Sequence, residues 1–166
     1  MRYANITNKE CTMDKILRHS VKAIIIKDNK ILVESVDYGR GRFCKLPGGG
    51  HQWGETMTEA VIRECKEELN ITVKPLRLVL ARDYIAKNHV QPIDSDNFQQ
   101  QELMFECAVD DFSTLGNGTE PDSSEQKIMW VDIDKLADVN FYPVAIIPYL
   151  KKLDTIHETI ILGDVN

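Results

Sequence analysis

The sequence predicts a mixed α/β or α+β domain organised around a mixed β-sheet. Three observations lead there. Short apolar runs rich in β-branched residues recur along the chain, bounded by Asn, Asp, Gly and Pro. Helical periodicity appears between them rather than in one block, so strands and helices interleave. The chain has 166 residues, 43% hydrophobic and 28% charged, which suits one domain with a real core.

The elements follow in order. Residues 1–17 are polar and mixed and read as an N-terminal extension or an extra element; residues 18–166 read as a single domain. Ser20–Ile26 and Ile31–Val36 predict a strand pair joined at Asp28-Asn29-Lys30. Tyr38–Arg42 is a loop, and Phe43–Leu46 is extended. Thr56-x-x-Glu59 is a capping-box signal, so a helix is expected from Met57 to Leu69. Ile71–Val73 and Leu76–Ala86 are strand-like, punctuated by Pro75. Lys87–Gln99 is a polar loop too long for a mere connector. Glu102–Val109 and Gln126–Val131 predict strands separated by the loop Asp110–Ser124. Asp132–Ala137 reads as a short helix capped by its Asp, and Pro143–Leu153 as an amphipathic helix kinked at Pro148. Thr155–Leu162 fits a last strand less clearly.

The chemistry concentrates in residues 48–71, GGGHQWGETMTEAVIRECKEELNI. Pro47 and three glycines exclude helix and regular strand, and they permit close backbone approach. On the helix that follows, Val61, Ile62, Cys65 and Leu69 share one side as a core stripe. Glu64, Glu67 and Glu68 share an adjoining arc, while Glu59–Arg63 and Arg63–Glu67 are i,i+4 ion pairs. Like charges at i,i+3 and i,i+4 oppose helix formation by about 0.2–0.5 kcal/mol per pair. A bound cation removes that penalty, and all-oxygen ligands suit Mg²⁺, Mn²⁺ or Ca²⁺ rather than zinc.

Gly49, Glu55, Arg63, Glu64, Glu67 and Glu68 together resemble the Nudix box, G-x5-E-x7-R-E-U-x-E-E-x-G-U, where U is apolar. The resemblance implies a mixed sheet sandwiched between helices. It also implies metal-dependent hydrolysis of the pyrophosphate bond in a nucleoside diphosphate derivative. Carried over, Glu64, Glu67 and Glu68 are the metal carboxylates, with Glu55 supporting the loop and the metal and a glycine-loop carbonyl, that of Gly48, completing the set. Arg63 orients the carboxylates, and Glu67 or Glu64 is the general base, with Glu102, Glu120 and Glu125 as further candidates. The expected cofactor is Mg²⁺, with Mn²⁺ able to replace it. Two positions depart from the pattern: Asn70 stands at the last box glycine, and Cys65 at an aliphatic position. Asn tolerates the left-handed helix stop, and Cys is small and apolar.

The substrate-binding candidates are Gly48, Gly49, Arg42, Lys45 and Trp53. Arg42 and Lys45 can neutralise phosphate; Trp53 either stacks on a base or anchors packing. Substrate selectivity is assigned to loops 37–45, 82–100 and 110–125. The long 82–100 loop favours an ADP-ribose-like or other nucleotide-sugar substrate over a modified nucleoside triphosphate or a dinucleoside polyphosphate. A non-catalytic nucleotide sensor is disfavoured because the box carboxylates are intact. The net charge of −6 argues against a nucleic-acid polymer as partner. The four cysteines show no CxxC spacing and read as reduced, buried thiols. With neither a signal peptide nor a membrane span in the sequence, a cytoplasmic protein is expected. A homodimer is left open.

Overall fold

A computed structural model describes residues 15–39, 41–89, 96–119 and 126–166. In chain order the elements are β1 (Ile16–Ile24), β2 (Ile26–Lys27), β3 (Lys30–Asp37), β4 (Arg42–Lys45), α1 (Met57–Leu69), β5 (Lys74–Ile85), β6 (Phe98–Ala108), β7 (Lys127–Asp132), α2 (Ile147–Leu150) and β8 (Ile160–Asp164). Short 3-10 turns occupy Ala86–Asn88, Ile133–Val139, Val144–Ile146 and Leu153–Thr155. The class is mixed α+β with one long helix.

The strands form two four-stranded sheets. One has the order β1-β6-β5-β8, with β1 parallel to β6, β6 antiparallel to β5, and β5 parallel to β8. In the other, β3 is antiparallel to β2, β4 and β7. The β2–β3 hairpin turns on Asp28 and Asn29, both at positive φ (51° and 59°), a conformation these short polar residues tolerate.

Two apolar layers enclose the sheets. Under α1, Ala60, Val61, Cys65 and Leu69 meet Val21, Ala23, Ile25, Leu32 and Phe105. On the other side, Ile24, Ile31, Val33, Leu80 and Met104 meet Leu136, Phe141, Ile146, Ile147 and Leu150 from the C-terminal turns. The sheets are thus sandwiched between α1 and the short helical turns. Cys44, Cys65 and Cys107 are free and buried; Cys11 lies outside the described residues. Among the described residues no helix is long and apolar enough to cross a membrane.

Several elements differ from expectation. β1 begins four residues before Ser20; its first four residues are exposed, so pairing with β6 rather than burial holds them. Residues 71–73 form no strand, although Ile71 and Val73 are buried, and Pro75 lies inside β5. β6 starts at Phe98, earlier than the polar Gln99–Gln101 suggested. Residues 143–153 are not one kinked helix. Pro148 stands in the first turn of α2, where its missing N–H has no helical partner to lose, so it starts a turn. Asp132 does not cap the turn that follows it; its carboxylate faces Lys135 Nζ at 3.7 Å. In α1, Ile62 is only half-buried, and Ala60 takes its place in the stripe.

Candidate active site

The glycine loop is stitched to β1. Val21 N–H donates to Gly49 O at 3.0 Å, Ala23 N–H to Pro47 O at 2.9 Å, and His51 N–H to His19 O at 3.0 Å. Loop and strand lie so close that a Cβ on Gly48, whose φ is +119°, would sit 2.3 Å from Val21 O. A Cβ on Gly49 would sit 2.5 Å from Glu64 Oε2. Glycine is therefore required for a carboxylate of α1 to reach the loop.

α1 opens with both halves of its capping box. Glu59 N–H donates to Thr56 Oγ1 at 3.2 Å, and Thr56 N–H donates to Glu59 Oε2 at 2.7 Å. Glu59 is thereby committed to the cap rather than to the expected pair with Arg63. At the other end Asn70 takes the left-handed conformation (φ 54°), and the N–H groups of Gly116 and Gly118 satisfy the carbonyls of Leu69 and Glu68.

Arg63 organises an outer cluster. Its guanidinium donates to Glu55 Oε1 (2.7 Å) and Oε2 (2.9 Å), Glu64 Oε1 (2.9 Å), Glu67 Oε2 (2.8 Å) and Gly50 O (2.9 Å). Hydrogen bonding from Arg63 holds Glu55 down to about 2. Burial pushes Glu64 above the usual carboxylate range, against the opposing pull of Arg63.

Glu68 belongs to an inner cluster, buried beneath the loop. Its Oε2 accepts from Gly48 N–H at 2.7 Å. Its Oε1 is buried without a hydrogen-bond partner and lies 3.9 Å from Lys45 Nζ. Lys45 Nζ is 2.6 Å from Glu34 Oε2, and Glu34 is fully buried. Burial pushes the Glu34 carboxyl up to about 8, although Lys45 draws it back. Lys22 Nζ donates to Gly48 O, and burial together with Lys45 keeps its ammonium below the ordinary lysine range.

These groups suit a hard divalent cation. Every donor in the set is an oxygen, and Glu68 Oε1 is a buried acceptor without a hydrogen bond, facing Lys45 Nζ at 3.9 Å. Arg63 itself sits among Glu55, Glu64 and Glu67, and among the described residues no three acidic, His or Cys side chains converge into a ready-made metal site. The Gly48 carbonyl is engaged by Lys22.

A cavity of about 410 Å³ opens beside the loop, floored by Lys22, Lys45, Leu46, Gly48 and Gly49. One wall comes from the β3–β4 side and the C-terminal segment. There Tyr38, Phe43 and Tyr142 make edge-on ring contacts at 5.6 and 6.0 Å. A second wall, on β1, β5 and β6, combines the rings of Tyr84 and Phe98, 6.4 Å apart, with a polar relay. Arg18 Nη1 donates to Gln100 Oε1 (2.8 Å), Gln100 Nε2 to Glu102 Oε1 (2.7 Å), and Arg82 Nε to Glu102 Oε2 (2.5 Å).

The expected residues thus separate. Gly48, Gly49 and Lys45 line the cavity, while Glu55, Arg63, Glu64, Glu67 and Glu68 gather at the loop. Arg42 turns away, donating to Ser35 O at 3.1 Å, and Trp53 is 103% exposed and outside the cavity lining. Both oxygens of Glu102 are committed; against the upward push of burial, Arg82 and Lys22 hold it below the usual range. Glu120 and Glu125 lie outside the described residues. Of the three stretches assigned to selectivity, 37–45 lends Tyr38, Phe43 and Lys45 to the cavity. From 82–100 the lining residues Arg82, Tyr84, Phe98 and Gln100 stand in β5 and β6 rather than in a loop, with residues 90–95 outside the described residues. Residues 114–118 instead close the C-terminus of α1. Lys22, Glu34, Arg18 and Tyr142 were missed. For Lys22 and Glu34 a signal existed: each is a lone charge inside an otherwise apolar strand run.

Comparison with known proteins identifies the family and the fold. The NUDIX domain family model matches residues 17–150. An ADP-ribose pyrophosphatase from Methanocaldococcus jannaschii is 46% identical over 56 residues, and that match spans 33% of this chain and 33% of the relative's length. The uncharacterized Nudix hydrolase YvcI of Bacillus subtilis is 27% identical over 127 residues, 76% of this chain and 73% of the relative. A Nudix hydrolase structure from Nitrosomonas europaea superimposes with a TM-score of 0.66 at 17% identity, over 84% of this chain and 89% of that one. With the loop, the carboxylate helix and the family match in agreement, the chain belongs to the Nudix family of hydrolases.

Proposed function

We propose that this protein hydrolyses the phosphoanhydride bond of a nucleoside diphosphate carrying a second moiety, ADP-ribose-like or another nucleotide sugar, with Mg²⁺ as its cofactor and Mn²⁺ able to replace it. The observation that carries this reading is the two-walled cavity beside the glycine loop. The aromatic wall suits a base by stacking. The wall with Arg18, Gln100 and Arg82 suits a sugar or a further phosphate through charge-assisted hydrogen bonds. A pyrophosphate would rest on the floor, where Lys22, Lys45 and the loop can meet its charge. The 46%-identical segment shared with a protein named ADP-ribose pyrophosphatase supports the same choice.

Glu64, Glu67 and Glu68 would hold the cation, with Gly48 O joining once Lys22 releases it. When bound, the cation neutralises charge on the pyrophosphate and acidifies water. Lys45 and Arg18 orient phosphate oxygens, and Arg63 keeps Glu64 and Glu67 in place. Glu67 or Glu64 takes the proton of the attacking water, Glu67 being the more exposed of the two. Cleavage releases a nucleoside monophosphate and a phosphorylated second moiety.

The test is product release from a panel of nucleotide sugars and nucleoside triphosphates, with Mg²⁺ or EDTA, beside Glu68→Gln. Turnover that needs Mg²⁺, favours the sugars and is lost in the variant is expected. Preference for triphosphates would overturn the substrate class; turnover in EDTA would overturn the metal role.

A further inference from the structure

Behind Glu68 stands a second carboxylate that the reaction does not use. Glu34 is fully buried, and its cross-strand partner in the β3–β4 ladder is Lys45. Glu34 Oε2 accepts from Lys45 Nζ at 2.6 Å, and Oε1 accepts from Gln126 Nε2 at 3.1 Å. The same Gln126 amide reaches Glu68 O at 3.4 Å, tying Glu34 to the last turn of α1. Lys45 therefore lies between two acidic side chains: Glu34 at hydrogen-bond distance, and Glu68 Oε1, which accepts no hydrogen bond, at the longer ion-pair distance of 3.9 Å.

That placement creates a competition. Resting on the metal-dependent reading above, Glu68 Oε1 is the oxygen a divalent cation would take. An ammonium bonded to it would block the cation by charge and by space. We propose that Glu34 is a positioning residue that holds Lys45 off Glu68, leaving Glu68 Oε1 to the cation and the ammonium to the substrate phosphates. The ladder fixes Glu34 opposite Lys45 whether or not metal is bound, so the arrangement is built into the strands. A carboxylate that merely neutralised the lysine would act through its charge alone, so Glu34→Gln would weaken metal binding as far as Glu34→Met does.

The experiment measures Mn²⁺ binding to the full chain, without substrate, from the electron paramagnetic resonance signal of unbound Mn²⁺. Thermal unfolding checks each variant's fold. Glu34→Met removes the acceptor, so Lys45 turns to Glu68 and Mn²⁺ affinity falls by about fivefold or more. Glu34→Gln keeps an acceptor oxygen and retains affinity near that of the wild type. Lys45→Met binds Mn²⁺ at least as tightly as the wild type, and the double variant Glu34→Met/Lys45→Met matches Lys45→Met. Unchanged affinity in folded Glu34→Met, or a loss that persists in the double variant, overturns the proposal. If Glu34→Met fails to fold, weaker binding by Lys45→Met overturns it instead. Glu68→Gln separates the two levels. Loss of Mn²⁺ there with no effect of Glu34→Met sinks this inference alone; a wild type that binds no Mn²⁺ sinks the metal reading with it.

Discussion

The outer and inner carboxylate clusters share one helix and solve opposite problems. The outer one, around Arg63, is assembled from residues 50–67 and leaves little unpaired: a single guanidinium binds three carboxylates and a loop carbonyl. The inner one draws Lys22 from β1, Glu34 from β3 and Lys45 from β4 around Glu68, and leaves Glu68 Oε1 buried without a hydrogen bond. The outer cluster can hold its shape without a ligand, whereas the inner one has a vacant acceptor. Satisfied charge networks make structure; an unsatisfied buried acceptor marks where a ligand gains most.

The largest expected effect tests that asymmetry directly. Glu68→Gln should lower kcat by about 10²–10⁴-fold, and Glu55→Gln by clearly less, as read by steady-state turnover. Equal losses would erase the distinction between the clusters. Next, Arg63→Ala leaves Glu55, Glu64 and Glu67 facing one another. It should destabilise the protein by about 1.5–3 kcal/mol without metal, and added Mg²⁺ should restore part of the loss. Denaturant melts with and without Mg²⁺ measure both; no rescue would argue that the cation does not bind there.

The two clusters should also respond to pH with opposite sign. Glu55 titrates lower in the folded protein, near 2 against an ordinary 4.5, so it contributes stability that is lost as pH falls through that interval. Glu34 titrates higher when folded, near 8, so the unfolded chain ionises first and stability is lost as pH rises between 4.5 and 8. Denaturation midpoints across pH should show Glu55→Gln flattening the acid limb and Glu34→Gln the alkaline one. The smallest effect belongs to Trp53→Ala. With its side chain in solvent, stability should change by less than about 0.5 kcal/mol; a larger loss would mean that the loop packs more tightly than its exposure indicates.

The outer cluster was legible in the sequence because it is local. Capping box, helix phase and i,i+4 spacing bring Glu55, Arg63, Glu64 and Glu67 within one stretch. α1 and the tight turn into β3 were legible for the same reason, but the expected pairing of Ser20–Ile26 with Ile31–Val36 was wrong: only Ile26–Lys27 pairs with β3, while Ser20–Ile24 belongs to β1 and lies beside β6 in the other sheet. What was hidden depends on pairing at long range. That α1 settles onto the glycine loop, burying Glu64 and Glu68, follows from contacts of β1 with residues 47–51. That Glu34 faces Lys45 follows from strand register. Pro148 misled because proline reads alike at a kink and at a helix start.

The parallel pairing of β1 with β6 has a consequence for how the protein is made. Arg18 and Gln100, joined across that pair, are 82 residues apart, and among the described residues β1 has no other strand neighbour in its sheet. A growing chain can therefore pair one edge of β1 with residues 47–51 early, but leaves the other edge open until β6 has been synthesised. Such distant closures slow folding, and an open strand edge invites association with other chains. The wall that needs Gln100 and Glu102 from β6 is thus completed only late, after the floor and the loop, and until β6 arrives that edge of β1 is open to association with other chains.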